Sequence, residues 1–68
     1  MKYHVVVYIN NKFAIIETQE IESNLQKDLI LTIKKFKENH SDKDGDSFFQ
    51  GLIEFIYDEL KVHCRLIV

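Results

Sequence analysis

The 68-residue sequence contains no proline and no tryptophan, only two glycines, and a single cysteine. With so few residues that break regular structure, helix and strand boundaries have to be inferred from periodicity and helix caps. One cysteine cannot form an intramolecular disulfide, which favours a reducing compartment, and we predict a cytoplasmic protein. Arginine occurs once, whereas phosphate and base recognition favours the arginine fork, so a dedicated nucleic-acid reader is not predicted. A weak, salt-sensitive contact through Lys27, Lys34 and Lys37 is kept as an alternative.

Long apolar runs are also absent. None approaches the roughly 18 residues that a membrane-spanning helix needs, and the N-terminus lacks the pattern of a signal peptide, so we predict no membrane association. The 46% hydrophobic content predicts one ordered domain over residues 1–68. A domain this small buries only about 60% of its unfolded surface, so its stability margin is thin and self-association is a common remedy.

Two β-branched and aromatic segments, residues 3–9 and 12–19, flank the dipeptide Asn10-Asn11. This pattern predicts a β-hairpin with a two-residue turn, in which asparagine tolerates the positive φ that the turn requires. Such a turn fixes the register of the two strands, so that Tyr8 lies opposite Phe13.

Alternation along the hairpin places two sets of side chains on opposite faces. The set predicted to lie under helices comprises Tyr3, Val5, Val7, Ile9, Ala14, Ile16 and Thr18. The other set is predicted to stay uncovered and to form the partner interface; it comprises Val6, Tyr8, Phe13 and Ile15, with His4 and Glu17 at the rim. A monomer does not normally leave an apolar patch of this kind in water.

Two capping-box patterns predict where helices begin. Ser23 to Gln26 precedes an apolar stripe of helical period, which predicts a helix from Asn24 to about Asn39. Ser47 to Gln50 precedes a second helix, whose apolar residues cover about half of its circumference, more than on an ordinary surface helix. This wide arc makes the second helix another candidate interface, through Phe49, Ile53, Tyr57, Glu54 and Asp58.

The C-terminal residues 62–68 alternate between apolar and polar, which predicts a third strand; continuation of the second helix to the C-terminus is the alternative, with the order ββαα. The predicted fold is therefore α+β with the order ββααβ, a three-stranded sheet carrying a helical hairpin on one face. Because both faces of the Val5-Val6-Val7 run are apolar, we place the first strand at the centre. This gives the strand order 2-1-3, with the last strand parallel to the first.

The segment from Asp42 to Asp46 resembles the start of an EF-hand calcium loop, because Asp42, Asp44 and Asp46 occupy its positions one, three and five. Position six is Ser47 where the loop has glycine, and position twelve is Ile53 where it has a bidentate glutamate. We therefore expect a solvated turn and keep a weak calcium site at the three aspartates as an alternative. No cofactor is predicted.

Catalytic patterns are scarce. His63 and Cys64 are adjacent, but neighbours on a strand point to opposite faces and cannot form a nucleophile–base pair. There is also no glycine-rich phosphate loop, so we predict that the protein is not an enzyme. Glu54 and Asp58 share a helix face near the aspartate-rich loop, and this acidic surface could engage a basic partner, such as a nucleic-acid-binding protein, as a further alternative.

Together these features predict a small non-enzymatic protein-binding module that regulates or inhibits a larger intracellular protein. The predicted partners are a second copy of the chain, in a homodimer, and that larger protein.

Overall fold

The computed structural model describes residues 1–9, 11–40 and 45–67. Its elements, in chain order, are β1 (Lys2–Ile9), β2 (Lys12–Gln19), α1 (Ser23–Asn39), α2 (Gly45–Leu60) and β3 (Cys64–Leu66). The α+β class and the order ββααβ are confirmed, since α2 ends at Leu60 and a third strand follows. Within the described ranges, neither helix is long and apolar enough to cross a membrane.

The β-hairpin forms in the predicted register. β1 and β2 pair antiparallel from Ile9 opposite Lys12 through to Lys2 opposite Gln19. Asn11 has a φ of 66°, in the left-handed region that such a turn needs and that asparagine tolerates better than most residues. Asn10, the other turn residue, lies outside the described residues.

The sheet order differs from the predicted 2-1-3. β1 and β2 are neighbours as expected, but the order is β1-β2-β3 and β2 is the central strand. β3 pairs antiparallel with β2, placing Arg65 opposite Glu17, rather than parallel with β1. With β2 at the centre, the flanking strands supply basic side chains to Glu17 from both sides, and antiparallel pairing is the slightly more stable arrangement.

Both helices begin earlier than their predicted serine caps imply. The N-cap of α1 is Glu22, without a side-chain cap hydrogen bond. The Glu22 carbonyl accepts the Gln26 N–H at 2.9 Å, so helical hydrogen bonding starts one residue earlier and Ser23 is already helical. Similarly, α2 begins at Gly45, which places Ser47 inside its first turn.

Helix α2 ends without glycine or proline. Lys61 takes the left-handed conformation with a φ of 56°, and its N–H donates to the Tyr57 carbonyl at 2.8 Å. This is the backbone geometry in which helices commonly end, although glycine is the usual residue there. The reversal at Lys61 allows the short segment 61–63 to lead into β3.

The core lies between one face of the sheet and the two helices. Its buried apolar residues are Val7, Ile9, Ala14, Ile16, Leu29, Ile33, Phe36, Phe48, Phe49, Leu52, Ile56 and Val62. Phe48 is the largest fully buried side chain, and its ring centroid lies 5.2 Å from that of Phe36. Val5 and Phe55 are partly buried and pack against this core. The helices therefore cover the predicted face of the sheet and leave the other face uncovered.

Candidate interface on the uncovered sheet face

The uncovered sheet face exposes several large apolar side chains next to one another. Val6, Tyr8 and Phe13 are 49%, 63% and 51% exposed, respectively, and Ile15 beside them is partly buried. The rings of Tyr8 and Phe13 are cross-strand neighbours, with centroids 5.8 Å apart. The prediction that these four residues share an uncovered face is confirmed, whereas their use as an interface stays a prediction.

Ile67 adds a fifth apolar side chain to this surface. Its N–H donates to the Ile15 carbonyl at 2.9 Å, which continues the β2–β3 pairing by one residue. Alternation places Ile67 on the same face as Arg65, opposite to Cys64, and Ile67 is exposed. Ile67 belongs to the segment 62–68 that was predicted to be a strand. Because the predicted order placed that strand beside β1, Ile67 was not predicted to lie next to Ile15. We call Val6, Tyr8, Phe13, Ile15 and Ile67 the apolar patch.

The other half of the uncovered face is an ionic cluster centred on Glu17. His4 Nε2 lies 3.0 Å from Glu17 Oε2, as expected for the predicted rim pair. Lys2 Nζ and Arg65 Nε donate to Glu17 Oε1 at 3.3 and 2.9 Å. Lys2 was not among the predicted rim residues, and Arg65 reaches the rim because β3 lies beside β2. The Glu17 side chain is only 12% exposed, so its carboxylate is enclosed by the three basic side chains.

Two opposing effects act on the Glu17 carboxyl. Partial burial raises its pKa, but hydrogen bonds from His4 and Lys2 and the positive charges of Lys2 and Arg65 together lower it more, so the pKa lies below its ordinary value. Glu17 is therefore ionised at neutral pH. Since Lys2 and Arg65 carry two positive charges against this one negative charge, the cluster has a net positive charge.

The exposed surface of α2 is a weaker interface candidate than the sequence suggested. Phe49 belongs to the core, where its ring meets Phe48 edge-on with centroids 5.4 Å apart, so it is not available to a partner. Tyr57 is exposed but packs against the His63 ring at 4.6 Å. Ile53 is partly buried, and the acidic residues Glu54 and Asp58 are exposed on the same helix.

The aspartate-rich segment does not have the layout of an EF-hand loop where it is described. Asp42 and Asp44 lie outside the described residues. In an EF-hand, Gly45 and Asp46 would be positions four and five of a twelve-residue loop. Here α2 already begins at Gly45, so Asp46 lies in the first helical turn. A carboxylate there interacts favourably with the helix dipole. In the part of the chain that the structure describes, no three His, Cys, Asp or Glu side chains are grouped so as to hold a metal ion.

The single cysteine is in a poor environment for nucleophilic chemistry. Burial raises the pKa of the Cys64 thiol, and a hydrogen bond with Thr18 offsets this only in part. The thiol therefore stays protonated at neutral pH, and the protonated form is a weak nucleophile. His63 contacts the Tyr57 ring, and its backbone carbonyl accepts the Thr18 hydroxyl at 2.9 Å.

The fold and this surface define a small α+β domain with two helices on one face of a three-stranded sheet and an apolar patch on the other. No protein-family model matches the chain, and no curated protein and no solved structure matches it significantly. Its function therefore has to be argued from these surfaces.

Proposed function

We propose that this protein is a non-enzymatic protein-binding module that forms a homodimer through the apolar patch and regulates or inhibits a larger protein. The observation that carries the proposal is the exposure of Val6, Tyr8 and Phe13, three adjacent large side chains on one sheet face. No element among the described residues covers them. A patch of this kind typically marks a site of association.

The apolar patch is of a size that favours reversible association. Full burial of a large apolar side chain contributes about 1.5–3 kcal/mol, so a half-exposed one gains about 1 kcal/mol when a partner covers it. Burial of these side chains on both copies offsets the cost of association, but the small area of the patch keeps the gain from greatly exceeding that cost. We therefore expect a dimer whose population depends on protein concentration.

The ionic cluster restricts how two copies can meet. A two-fold axis centred on the apolar patch places the two Glu17 clusters at opposite ends of the interface. Lys2 and Arg65 of one copy then stay in solvent, away from the same residues of the other copy, and avoid like-charge repulsion. The two sheets would stack face to face about 10 Å apart.

Sedimentation velocity over a range of concentrations tests the proposal. The variant Tyr8→Glu plus Phe13→Glu introduces two charges into the apolar patch and should be monomeric at concentrations where the parent is dimeric. The matched control is Leu31→Glu plus Tyr57→Glu, which makes the same change at exposed apolar residues of α1 and α2 and should leave the dimer intact.

Two results would contradict this assignment. A parent protein that stays monomeric at millimolar concentration would show that the chain does not form a homodimer. A dimer that survives the patch variant but is lost in the control would move the interface to the helices.

A further inference from the structure

The outer edge of the sheet carries backbone groups that point away from the other strands. β1 is an edge strand of eight residues. The Ile67 N–H donates to the Ile15 carbonyl, so the backbone N–H and C=O of Ile15 point towards β3. Val6 lies opposite Ile15 on β1. In an antiparallel ladder this pair is therefore not hydrogen-bonded, and the N–H and C=O of Val6 point away from β2. By alternation, His4 and Tyr8 also direct their N–H and C=O groups outward. An edge of this length is a template for pairing with another strand.

A shallow groove of about 620 Å³ runs beside this edge, between β1 and α1. Ile30, which is 50% exposed, lies on the α1 side of the groove. The apolar lining as a whole comprises Val5, Val6, Val7, Tyr8, Ile30 and Ile33. In a strand added to β1, every second side chain points to the same face as Val5 and Val7. Those side chains would enter the groove, so the groove selects for apolar residues at alternate positions.

The groove is also positively charged. Lys34 and Lys37 of α1 line it together with Glu38, which gives a net charge of 2 − 1 = +1. Residues three apart are neighbours on a helix surface, so both ammonium groups can reach one carboxylate. Among the ion pairs formed by the described residues, none includes either lysine.

We propose that this groove binds an extended segment of another protein by β-strand addition. The segment has apolar side chains at alternate positions that enter the groove, followed by an acidic side chain in the same alternation. Its backbone pairs antiparallel with the outward groups of His4, Val6 and Tyr8, and its carboxylate meets Lys34 and Lys37. Main-chain hydrogen bonds then supply affinity, while the groove and the two lysines supply selectivity.

A second copy of the chain fits this groove less well than an acidic segment. The two edge strands that a second copy could offer are β1 and β3. Both lack aspartate and glutamate, and they carry the cationic residues Lys2 and Arg65 together with His4. Edge-to-edge pairing would bring these residues rather than a carboxylate to the lysine pair. Val6 and Tyr8 contribute to both the apolar patch and the groove. The two sites are therefore separated experimentally at Phe13, which belongs to the patch and does not line the groove.

The probe is a capped peptide, acetyl-Thr-Ile-Thr-Val-Thr-Glu-Ser-amide, with binding measured by isothermal titration calorimetry at low salt. When the peptide pairs antiparallel with β1, its isoleucine, valine and glutamate enter the groove together and its threonine N–H groups face β1. Methylating the threonine amides should raise Kd by about tenfold or more, because each lost hydrogen bond weakens binding. Methylating the isoleucine, valine and glutamate amides is the matched control and should change Kd less than about threefold, since these groups face away from β1.

Charge reversal in the protein tests the lysine pair. Lys34→Glu plus Lys37→Glu should weaken binding about tenfold at low salt. Lys12→Glu plus Lys27→Glu, with the same charge change at exposed lysines outside the groove, should have little effect. Phe13→Glu disrupts the apolar patch but not the groove and should retain peptide binding, so failure of the dimer and failure of this site are distinguishable.

Three outcomes would overturn the inference. The first is a peptide that does not bind, and the second is equal binding of the two methylated peptides. The third is slow hydrogen exchange at the Val6 amide of the peptide-free protein under dilute conditions, which would show that the edge is already occupied by a second copy.

Discussion

Truncation of Phe48 to alanine is the most direct test of the core. Phe48 is fully buried and lies between the rings of Phe36 and Phe49, at centroid distances of 5.2 and 5.4 Å. Its removal leaves a cavity at the junction of the two helices, which the surrounding rings can fill only in part. Substitutions of this kind cost about 3–5 kcal/mol.

That loss is large for this chain. At about 0.05–0.15 kcal/mol per residue, a 68-residue domain has a free energy of unfolding of about 3–10 kcal/mol. Phe48→Ala should therefore remove a large part of the stability and can leave the variant partly unfolded at 25 °C. Phe48→Leu, which removes less volume, keeps the measurement within the folded range and should show a smaller loss of the same sign.

Urea denaturation followed by circular dichroism measures these changes. The matched control is Phe13→Ala, the same truncation at a half-exposed position on the uncovered face, and it should cost less than about 1.5 kcal/mol. Phe55→Ala, at a partly buried residue beside the core, should fall between the two. Because dimer formation would make the free energy of unfolding depend on protein concentration, all variants are compared at one protein concentration. A loss at Phe48 no greater than the loss at Phe13 would refute this assignment of the core.

Four further predictions follow from individual residues. The folded-state pKa of Glu17 is lowered, so its ionised form stabilises the fold at neutral pH, and this contribution is lost as the pH falls through the folded-state pKa. The thermal midpoint of the parent should therefore fall more steeply on acidification than that of Glu17→Gln. Parallel curves of thermal midpoint against pH would contradict this. In urea denaturation Lys61→Gly should have a free energy of unfolding about 0.5–1 kcal/mol higher than Lys61→Ala, because glycine adopts the observed positive φ without strain and both variants equally lose the contact of Lys61 Nζ with the Tyr57 ring; equal values would contradict this. The Cys64 thiol should react with a disulfide reagent at pH 8 more slowly in the folded protein than in urea, because burial raises its pKa; equal rates would show that the thiol is not protected. Millimolar Ca²⁺ should leave the thermal midpoint unchanged because Asp46 is helical, whereas an upward shift that Asp46→Ala abolishes would establish a calcium site.

Local sequence patterns determined the elements and the faces of this fold. The two-residue turn fixed the pairing of β1 with β2, because a turn of that length permits one register. Alternation about that turn then separated Ile16, which is fully buried, from Tyr8, which is exposed. Helical periodicity likewise predicted an apolar face on each helix, and Leu29 of α1 and Leu52 of α2 lie in the core. These properties depend on residues close together in the chain, and so they can be inferred without knowledge of the tertiary structure.

The choice of central strand, by contrast, depended on contacts between residues far apart in sequence. The apolar run of Val5, Val6 and Val7 favoured β1 as the central strand. In the folded chain β2 takes that position, and Lys2 and Arg65 compensate the charge of Glu17 from its two sides. Placing β3 beside β2 also brought Ile67 to Ile15 and left β1 at the edge. The extended apolar patch and the groove between β1 and α1 both result from that pairing. No local pattern specifies it, because it is set by the relative stability of alternative packings of the same elements.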